Sequence, residues 1–148
     1  LAQCFDGVRL GTEDYIAKGH PTPAVFLLPI GNLAMRKARA GFALNFFGCA
    51  GYQVIDNNSF KTVSEGIKAA LSSPAQIITL CSSDDEYATL GMEIIQGIKS
   101  ADASRIVVIA GNPPTAEALK QAGADEFIHV KTNVLNALNA FSSKLGII

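Results

Sequence analysis

The stretch Pro23-Ala24-Val25-Phe26-Leu27-Leu28-Pro29-Ile30-Gly31-Asn32 decides the fold of this chain. Its continuous apolar run from Ala24 to Leu28, stopped by Pro29, predicts a strand that is buried on both faces. The helical periodicity that follows, from 33 to 50, predicts a helix that ends at Gly51. A buried strand followed by a helix is the repeating unit of an alternating α/β fold.

Four more strands are predicted downstream, at 52–56, 76–81, 106–109 and 126–130. The strands at 24–28, 76–81 and 106–109 are almost entirely apolar, as the central strands of a parallel sheet are. The other two suit the edges because they carry polar residues, namely Gln53, Asp56, Glu126 and His129. We therefore predict a flavodoxin-like (Rossmann-like) α/β fold: a five-stranded parallel sheet in the order 2-1-3-4-5, with helices on both faces. Ligands of such folds bind at the carboxyl ends of the strands, near the first and third.

Capping motifs and periodicity predict the remaining helices. Thr62 with Glu65, and Ser83 with Glu86, each have the spacing of a capping box, which marks a helix start. After Ser83 the inner stripe of the helix is predicted to be Tyr87, Leu90, Ile94, Ile95 and Ile98. A short helix is predicted from Pro114 to Gly123, and a last one is lined by Val134, Leu135, Leu138, Phe141 and Leu145.

Composition excludes several classes of protein. The chain has 148 residues, of which 49% are apolar and 17% charged, and its net charge is −1. That charge predicts neither nucleic acid nor an anionic membrane as a partner. No apolar run approaches the roughly 20 residues that span a bilayer. Three scattered cysteines (Cys4, Cys49 and Cys81) predict no disulfide framework or zinc site. We expect Cys49 and Cys81 to be small buried thiols, and the protein to be cytoplasmic.

Residues 1–22 stand outside the strand–helix alternation. Phe5, Val8, Leu10, Tyr15 and Ile16 have the spacing of a short amphipathic helix, and residues 19–23 read as a linker. We expect the chain to come from a longer protein, with 1–22 as an extension or linker and 23–148 as the domain.

Local motifs predict no catalytic or metal site. The loop Pro29–Asn32 has one glycine, which is too few for a dinucleotide fingerprint, and it lacks the ending of a P-loop. A phospho-acceptor receiver domain has this fold and would use Lys131, but it needs clustered carboxylates at the first and third strand ends. Asp84 and Asp85 are better explained as acids in the first turn of a helix. His20 and His129 have no patterned partners, and Ser82 and Ser83 are assigned to helix capping.

Arg36, Lys37 and Arg39 form an unusual basic cluster in the first turns of the helix after the first strand. A helix N-terminus is already positive, so cations there are unfavourable. Two interpretations stay open, an anion or acidic partner nearby and a solvated helix end. On the side away from the core, the same helix presents Lys37, Gly41, Asn45 and Gly48.

Nearly the whole chain resembles the methylmalonyl-CoA mutase family, specifically the cobalamin-binding-like domain of its small (β) subunit. The resemblance runs through residues 23–34, 38–47 and 50–54, then Ala110-Gly111-Asn112-Pro113-Pro114 and Gly123-Ala124-Asp125. It implies that residues 1–22 join this domain to a preceding catalytic-type barrel.

Cobalamin-binding members of this family carry D-x-H-x-x-G after the first strand, and this sequence does not. Counted from Gly31, the three motif positions are Leu33, Met35 and Ala38; counted from Gly51, they are Ala34, Arg36 and Arg39. Arginine has no lone pair to offer a metal, and a thioether is a weak acceptor. The family's S-x-L after the third strand falls on Cys81-Ser82-Ser83, so it is missing too.

The resemblance implies a structural domain with no catalytic, cofactor-binding or metal residues of its own. The parent enzyme would be a heterodimeric isomerase that interconverts methylmalonyl-CoA and succinyl-CoA. Its adenosylcobalamin would lie in the large partner subunit. Two alternatives remain: a cobalamin-binding domain with an atypical mode, such as base-on binding without a protein ligand, and an unrelated flavodoxin-like binding or signalling module.

Overall fold

The computed structural model describes residues 6–20, 23–31, 33–48, 51–55, 60–111, 113–129, 141 and 143–145. Its five strands are β1 (Ala24–Pro29), β2 (Gln53–Ile55), β3 (Ile77–Cys81), β4 (Ile106–Ala110) and β5 (Glu126–Ile128). They form one sheet in the order β2-β1-β3-β4-β5, and every pair is parallel. The predicted fold and strand order are confirmed.

The helices are α1 (Asp6–Ala17), α2 (Leu33–Gly48), α3 (Val63–Ser72), α4 (Asp84–Glu86), α5 (Met92–Ala101) and α6 (Ala116–Ala122). Successive strand side chains point to opposite faces of a sheet. Val25 and Leu27 of β1 therefore join one core cluster with Phe47 of α2, whereas Phe26 and Leu28 join the other with α3 and α5. Helices cover both faces, as predicted.

In both predicted capping boxes, the N-cap hydroxyl binds the backbone amide three residues further on. The Thr62 hydroxyl accepts a hydrogen bond from the Glu65 amide at 3.2 Å. The Ser83 hydroxyl accepts one from the Glu86 amide at 3.3 Å and donates one to the Glu86 carboxylate at 2.7 Å. Helix α2 ends at Gly48, and the last two residues predicted for it, 49 and 50, lie outside the described residues.

The helix predicted after β3 is not a continuous α-helix. A π-turn, Tyr87–Gly91, separates α4 from α5. The predicted inner stripe is nonetheless correct, since Tyr87, Ile94, Ile95 and Ile98 are buried and Leu90 is half-buried against the same cluster. The apolar periodicity of the sequence does not predict the π-turn. Tyr87, the first residue of the π-turn, forms hydrogen bonds through its hydroxyl to the ends of β3 and β4.

At the amino-terminal ends of the strands, the Arg105 side chain binds the carboxyl end of α3. Its Nη1 donates to the carbonyl oxygens of Ala70, Ser73 and Ala75 at 2.9–3.1 Å, and its Nη2 donates to Leu71 at 3.2 Å. Its Nε pairs with Asp102 at 2.9 Å. The last carbonyl oxygens of a helix have no hydrogen-bond donor within the helix. Here the Arg105 guanidinium donates hydrogen bonds to carbonyl oxygens at the end of α3.

Helix α1 confirms that residues before the sheet are helical. Leu10, on α1, is 62% exposed, and the Tyr15 ring stacks on His20 with 4.2 Å between centroids. The assignment of 1–22 as a linker stays a prediction.

Most of the predicted last helix lies outside the described residues, although Phe141 is helical, buried and packed against Phe47. Within the described parts of the chain, no helix is both long and apolar enough to cross a membrane.

Candidate functional site

The carboxyl ends of β1, β3 and β4 meet at the edge where this fold binds ligands, and the Arg39 side chain lies across that edge. Its Nη1 donates to the carbonyl oxygens of Ala110 at 2.6 Å and Ser82 at 3.3 Å. Its Nη2 lies 3.1 Å from Asp84 Oδ1, and the Arg39 side chain is only 18% exposed. Arg39 thus joins α2 to the ends of β3 and β4.

The contact between Arg39 and Asp84 is an ion pair without a hydrogen bond. Asp84 Oδ1 is buried and accepts no hydrogen bond from any group that the structure describes. Gly111, with φ +148°, packs directly against the pair. A Cβ at this position would lie 2.9 Å from Asp84 Oδ1 and would overlap Arg39 Nη1.

Tyr87 binds the same strand ends as Arg39. Its hydroxyl accepts a hydrogen bond from the Ser82 amide at 2.9 Å. It lies 2.7 Å from the Ala110 carbonyl oxygen and 3.0 Å from that of Leu80, and its single proton can be donated to either. Burial raises the pKa of the Tyr87 phenol well above its ordinary value, so this group is a neutral structural contact.

The loop after β1 is covered by the Glu86 carboxylate. Glu86 Oε1 accepts hydrogen bonds from Ser83 at 2.7 Å and Ser82 at 3.3 Å. Gly31, with φ +88°, has no room for a side chain because its Cβ would overlap this carboxylate. The Glu86 carboxylate therefore lies directly against the backbone of the β1 loop.

The two possible registers of the missing cobalamin motif place different side chains here. In the first, Met35 is half-buried and Ala38 is exposed, while the Leu33 side chain lies outside the described part of the chain. In the second, Ala34 is exposed, and Arg36 and Arg39 are half-buried. Neither register presents a histidine or a carboxylate.

The basic cluster does not behave as one unit. Lys37 is exposed, as expected for a solvated helix end, and the outward face of α2 with Gly41, Asn45 and Gly48 is exposed as predicted. For Arg39 the solvated interpretation is wrong, because Asp84 of the same domain provides the counter-charge. The sequence pattern predicts Asp84 in the first turn of a helix, but it does not predict the pairing of Asp84 with Arg39.

Arg36 lies on the other side of the β1 loop. Its Nη1 donates to the Gly31 carbonyl oxygen at 2.8 Å, and its buried Nε has no hydrogen-bond partner among the described residues. It borders a groove of about 500 Å³ that also contains Lys61. The guanidinium is thus held by the backbone at the wall of an open concavity.

Other candidate residues remain dispersed. His20 stacks on Tyr15, and His129 is half-buried after β5. Cys81 is buried, as predicted, with its Sγ 3.7 Å from the Thr79 carbonyl oxygen, whereas residues 4, 49 and 131 lie outside the described part of the chain. Among the residues that the structure describes, no three His, Cys, Asp or Glu side chains converge to form a possible metal site.

Solved structures of receiver-type proteins share this fold. The chemotaxis protein CheY4 of Vibrio cholerae aligns with a TM-score of 0.55 and 14% identity, over 83% of this chain and 98% of that one. A response regulator from Thermotoga maritima aligns with a TM-score of 0.56 and 14% identity, over 85% and 99%. At such low identity these similarities establish the flavodoxin-like fold alone.

Sequence comparison identifies relatives of a different kind. No protein-family model matches the chain. The methylmalonyl-CoA mutase small subunit of Porphyromonas gingivalis is 48% identical over 97% of this chain. The probable methylmalonyl-CoA mutase small subunit of Mycobacterium tuberculosis is 28% identical over 96%, and the small subunit of Streptomyces virginiae is 26% identical over 98%. The chain spans 22–23% of the length of these curated relatives. It is therefore homologous, across nearly all its length, to one domain-sized segment of methylmalonyl-CoA mutase small subunits.

Proposed function

We propose that this domain has a structural role in the small subunit of a heterodimeric methylmalonyl-CoA mutase and binds no cobalamin itself. The observation that carries the proposal is the position of Arg39. Its guanidinium lies between Ser82 and Ala110 at the strand ends, where a ligand of this fold would enter. A bound ligand there would have to break two hydrogen bonds and an ion pair.

The residues around the β1 loop do not fit cobalamin. An axial ligand needs a lone pair, and the second register offers the protonated Arg36, whose Nη1 is engaged by Gly31. Met35, in the first register, offers only a thioether. The nearby carboxylates are already used, since Asp84 pairs with Arg39 and Glu86 accepts from two serines.

The isomerisation of methylmalonyl-CoA to succinyl-CoA is accordingly assigned to the parent complex. The curated relatives are named small subunits, which supports a larger partner. We propose that this partner carries the adenosylcobalamin, that the domain contributes packing and no catalytic residue, and that the complex is cytoplasmic.

Cobalamin titration tests the proposal most directly. Hydroxocobalamin would be titrated into the full-length protein and followed by visible absorbance, with the purified large subunit as the positive control. We expect no spectral change at micromolar concentrations. Binding with the shift of axial nitrogen ligation would overturn the proposal, and binding without that shift would favour the atypical, base-on mode.

Association with the partner is tested separately. The full-length protein, co-expressed with the large subunit, is expected to co-purify with it as a stable complex. A small subunit that stays monomeric in the presence of the large one would exclude the packing role, whatever the result of the cobalamin titration.

A further inference from the structure

A concave groove lies at the carboxyl end of β1 and the start of α3. Its volume is about 500 Å³. Four of its lining side chains are apolar (Ile30, Phe60, Val63 and Leu90), and two are cationic (Arg36 and Lys61). A concave surface that combines an apolar wall with a few convergent polar groups is typical of small-molecule sites.

Arg36 is the unusual member of this lining. Its Nη1 donates to the Gly31 carbonyl oxygen, while its Nε is buried and makes no hydrogen bond to any residue that the structure describes. Among the described residues, Arg39 and Arg105 each pair with an aspartate at 2.9–3.1 Å, but no carboxylate is paired with Arg36. A guanidinium has five N–H donors, and a buried donor is normally satisfied.

Lys61 adds a second positive charge at the same groove. It is exposed, and it directly precedes Thr62, the N-cap of α3. The positive end of a ten-residue helix therefore opens at this wall. The charges of Arg36 and Lys61 and the helix dipole all favour a negative group at one place.

We propose that this groove binds a small organic anion, a carboxylate or a phosphate monoester attached to an apolar group. The anionic end would pair with Arg36 and Lys61, and the apolar part would contact Phe60, Val63 and Leu90. This function goes beyond the structural role proposed above and does not depend on it, because the groove is formed by this domain alone.

Phenyl phosphate and phenylacetate are suitable probes, because they share an apolar ring and differ in the anion. Each would be titrated into the full-length protein by calorimetry, with benzyl alcohol as the neutral match. We expect one of the two anions to bind with a Kd below about 1 mM, and benzyl alcohol to bind at least about tenfold more weakly. The preferred probe identifies the anion as phosphate or carboxylate.

Three variants assign the binding to the groove. Arg36→Gln is expected to raise the Kd of the preferred probe about tenfold or more, and Lys61→Gln severalfold. Lys37→Gln removes the same charge from a neighbouring exposed position outside the groove, and it should leave the Kd unchanged. If Arg36→Gln does not fold, the comparison of Lys61→Gln with Lys37→Gln decides. Failure of both anions to bind, or equal weakening by all variants, would overturn the proposal.

Discussion

Arg39 Nη1 lies 2.6 Å from the carbonyl oxygen of Ala110, a residue 71 positions further along the chain. The same nitrogen also donates to Ser82, 43 positions away. One side chain of α2 therefore binds two strand ends that meet only when β3 and β4 are paired. Ligands of this fold bind at the carboxyl ends of the strands. Here the Arg39 side chain, a part of the domain itself, occupies that position.

Arg39→Met should lower the free energy of unfolding by about 2 kcal/mol. The change keeps most of the side-chain length but leaves two carbonyl oxygens and the buried Asp84 Oδ1 without the cation. Chemical denaturation of the two chains measures the difference. Lys37→Met, on the exposed side of the same helix, is the control and should change stability by less than about 0.5 kcal/mol. Equal effects of the two changes would mean that the Arg39 contacts contribute nothing.

Gly111→Ala is expected to destabilise the chain by about 2 kcal/mol or more. Its φ of +148° strains any other residue, and its Cβ would overlap Arg39. Gly41→Ala is the matched substitution: Gly41 is exposed within α2, and nothing lies within 4 Å of its Cβ. That change should stabilise the chain by roughly 0.5–1 kcal/mol. Thermal unfolding of both variants tests whether the two shifts have opposite signs.

Tyr87→Phe removes one hydroxyl and should cost about 1–2 kcal/mol of stability. The Ser82 amide loses its acceptor, and the Leu80 and Ala110 carbonyl oxygens lose a donor, while the ring still fills its buried site. Equilibrium unfolding in denaturant provides the measurement. A variant as stable as the parent chain would show that these hydrogen bonds have no net effect.

Stability above pH 10 should depend on Tyr87. Burial raises the pKa of its phenol in the folded chain, whereas in the unfolded chain the phenol ionises at about pH 10. The contribution of the neutral phenol is therefore fully present below about pH 10 and is lost as the pH rises further. We expect the free energy of unfolding to fall above that pH in the parent chain and to fall less steeply in Tyr87→Phe. Identical slopes would contradict the assignment.

Arg105→Lys should destabilise the chain by about 2 kcal/mol despite keeping the charge. A lysine ammonium is a single point donor and cannot reproduce the fork that reaches four carbonyl oxygens and Asp102. Lys68→Arg, on the exposed side of α3, makes the reverse exchange where no such geometry is needed. Its stability should match that of the parent chain, and a comparable loss there would indicate a general effect of the exchange.

The fold was predictable from the sequence, because its determinants are local. The apolar run at 24–28 and the hydroxyl–glutamate pairs at Thr62 and Ser83 act within a few residues, and the structure reproduces them. Gln53 in β2 and Glu126 in β5 correctly identified these strands as the edges of the sheet. His129 lies beyond the end of β5, and residue 56 lies outside the described residues.

The arrangement at the site was not predictable in the same way. Arg39 finds its partners 43 and 71 residues away, so no local pattern separates it from the exposed Lys37. At the start of the π-turn, the Tyr87 hydroxyl lies within hydrogen-bond distance of carbonyl oxygens of β3 and β4, and no spacing within the helix predicts these contacts. The spacing of apolar residues along a helix predicts which face of that helix is buried. It does not predict which polar groups of other strands or helices will form hydrogen bonds with that helix.

The contacts of the Arg105 guanidinium determine which parts of the molecule should unfold together. It connects the end of α3 to the segment just before β4, across 30–35 residues. Fraying of α3 alone would leave these donors unsatisfied, so the helix end and the start of β4 should open together. Amide hydrogen exchange would then give similar protection for α3, β3 and β4, as for a single cooperative unit, with lower protection for the short edge strands β2 and β5.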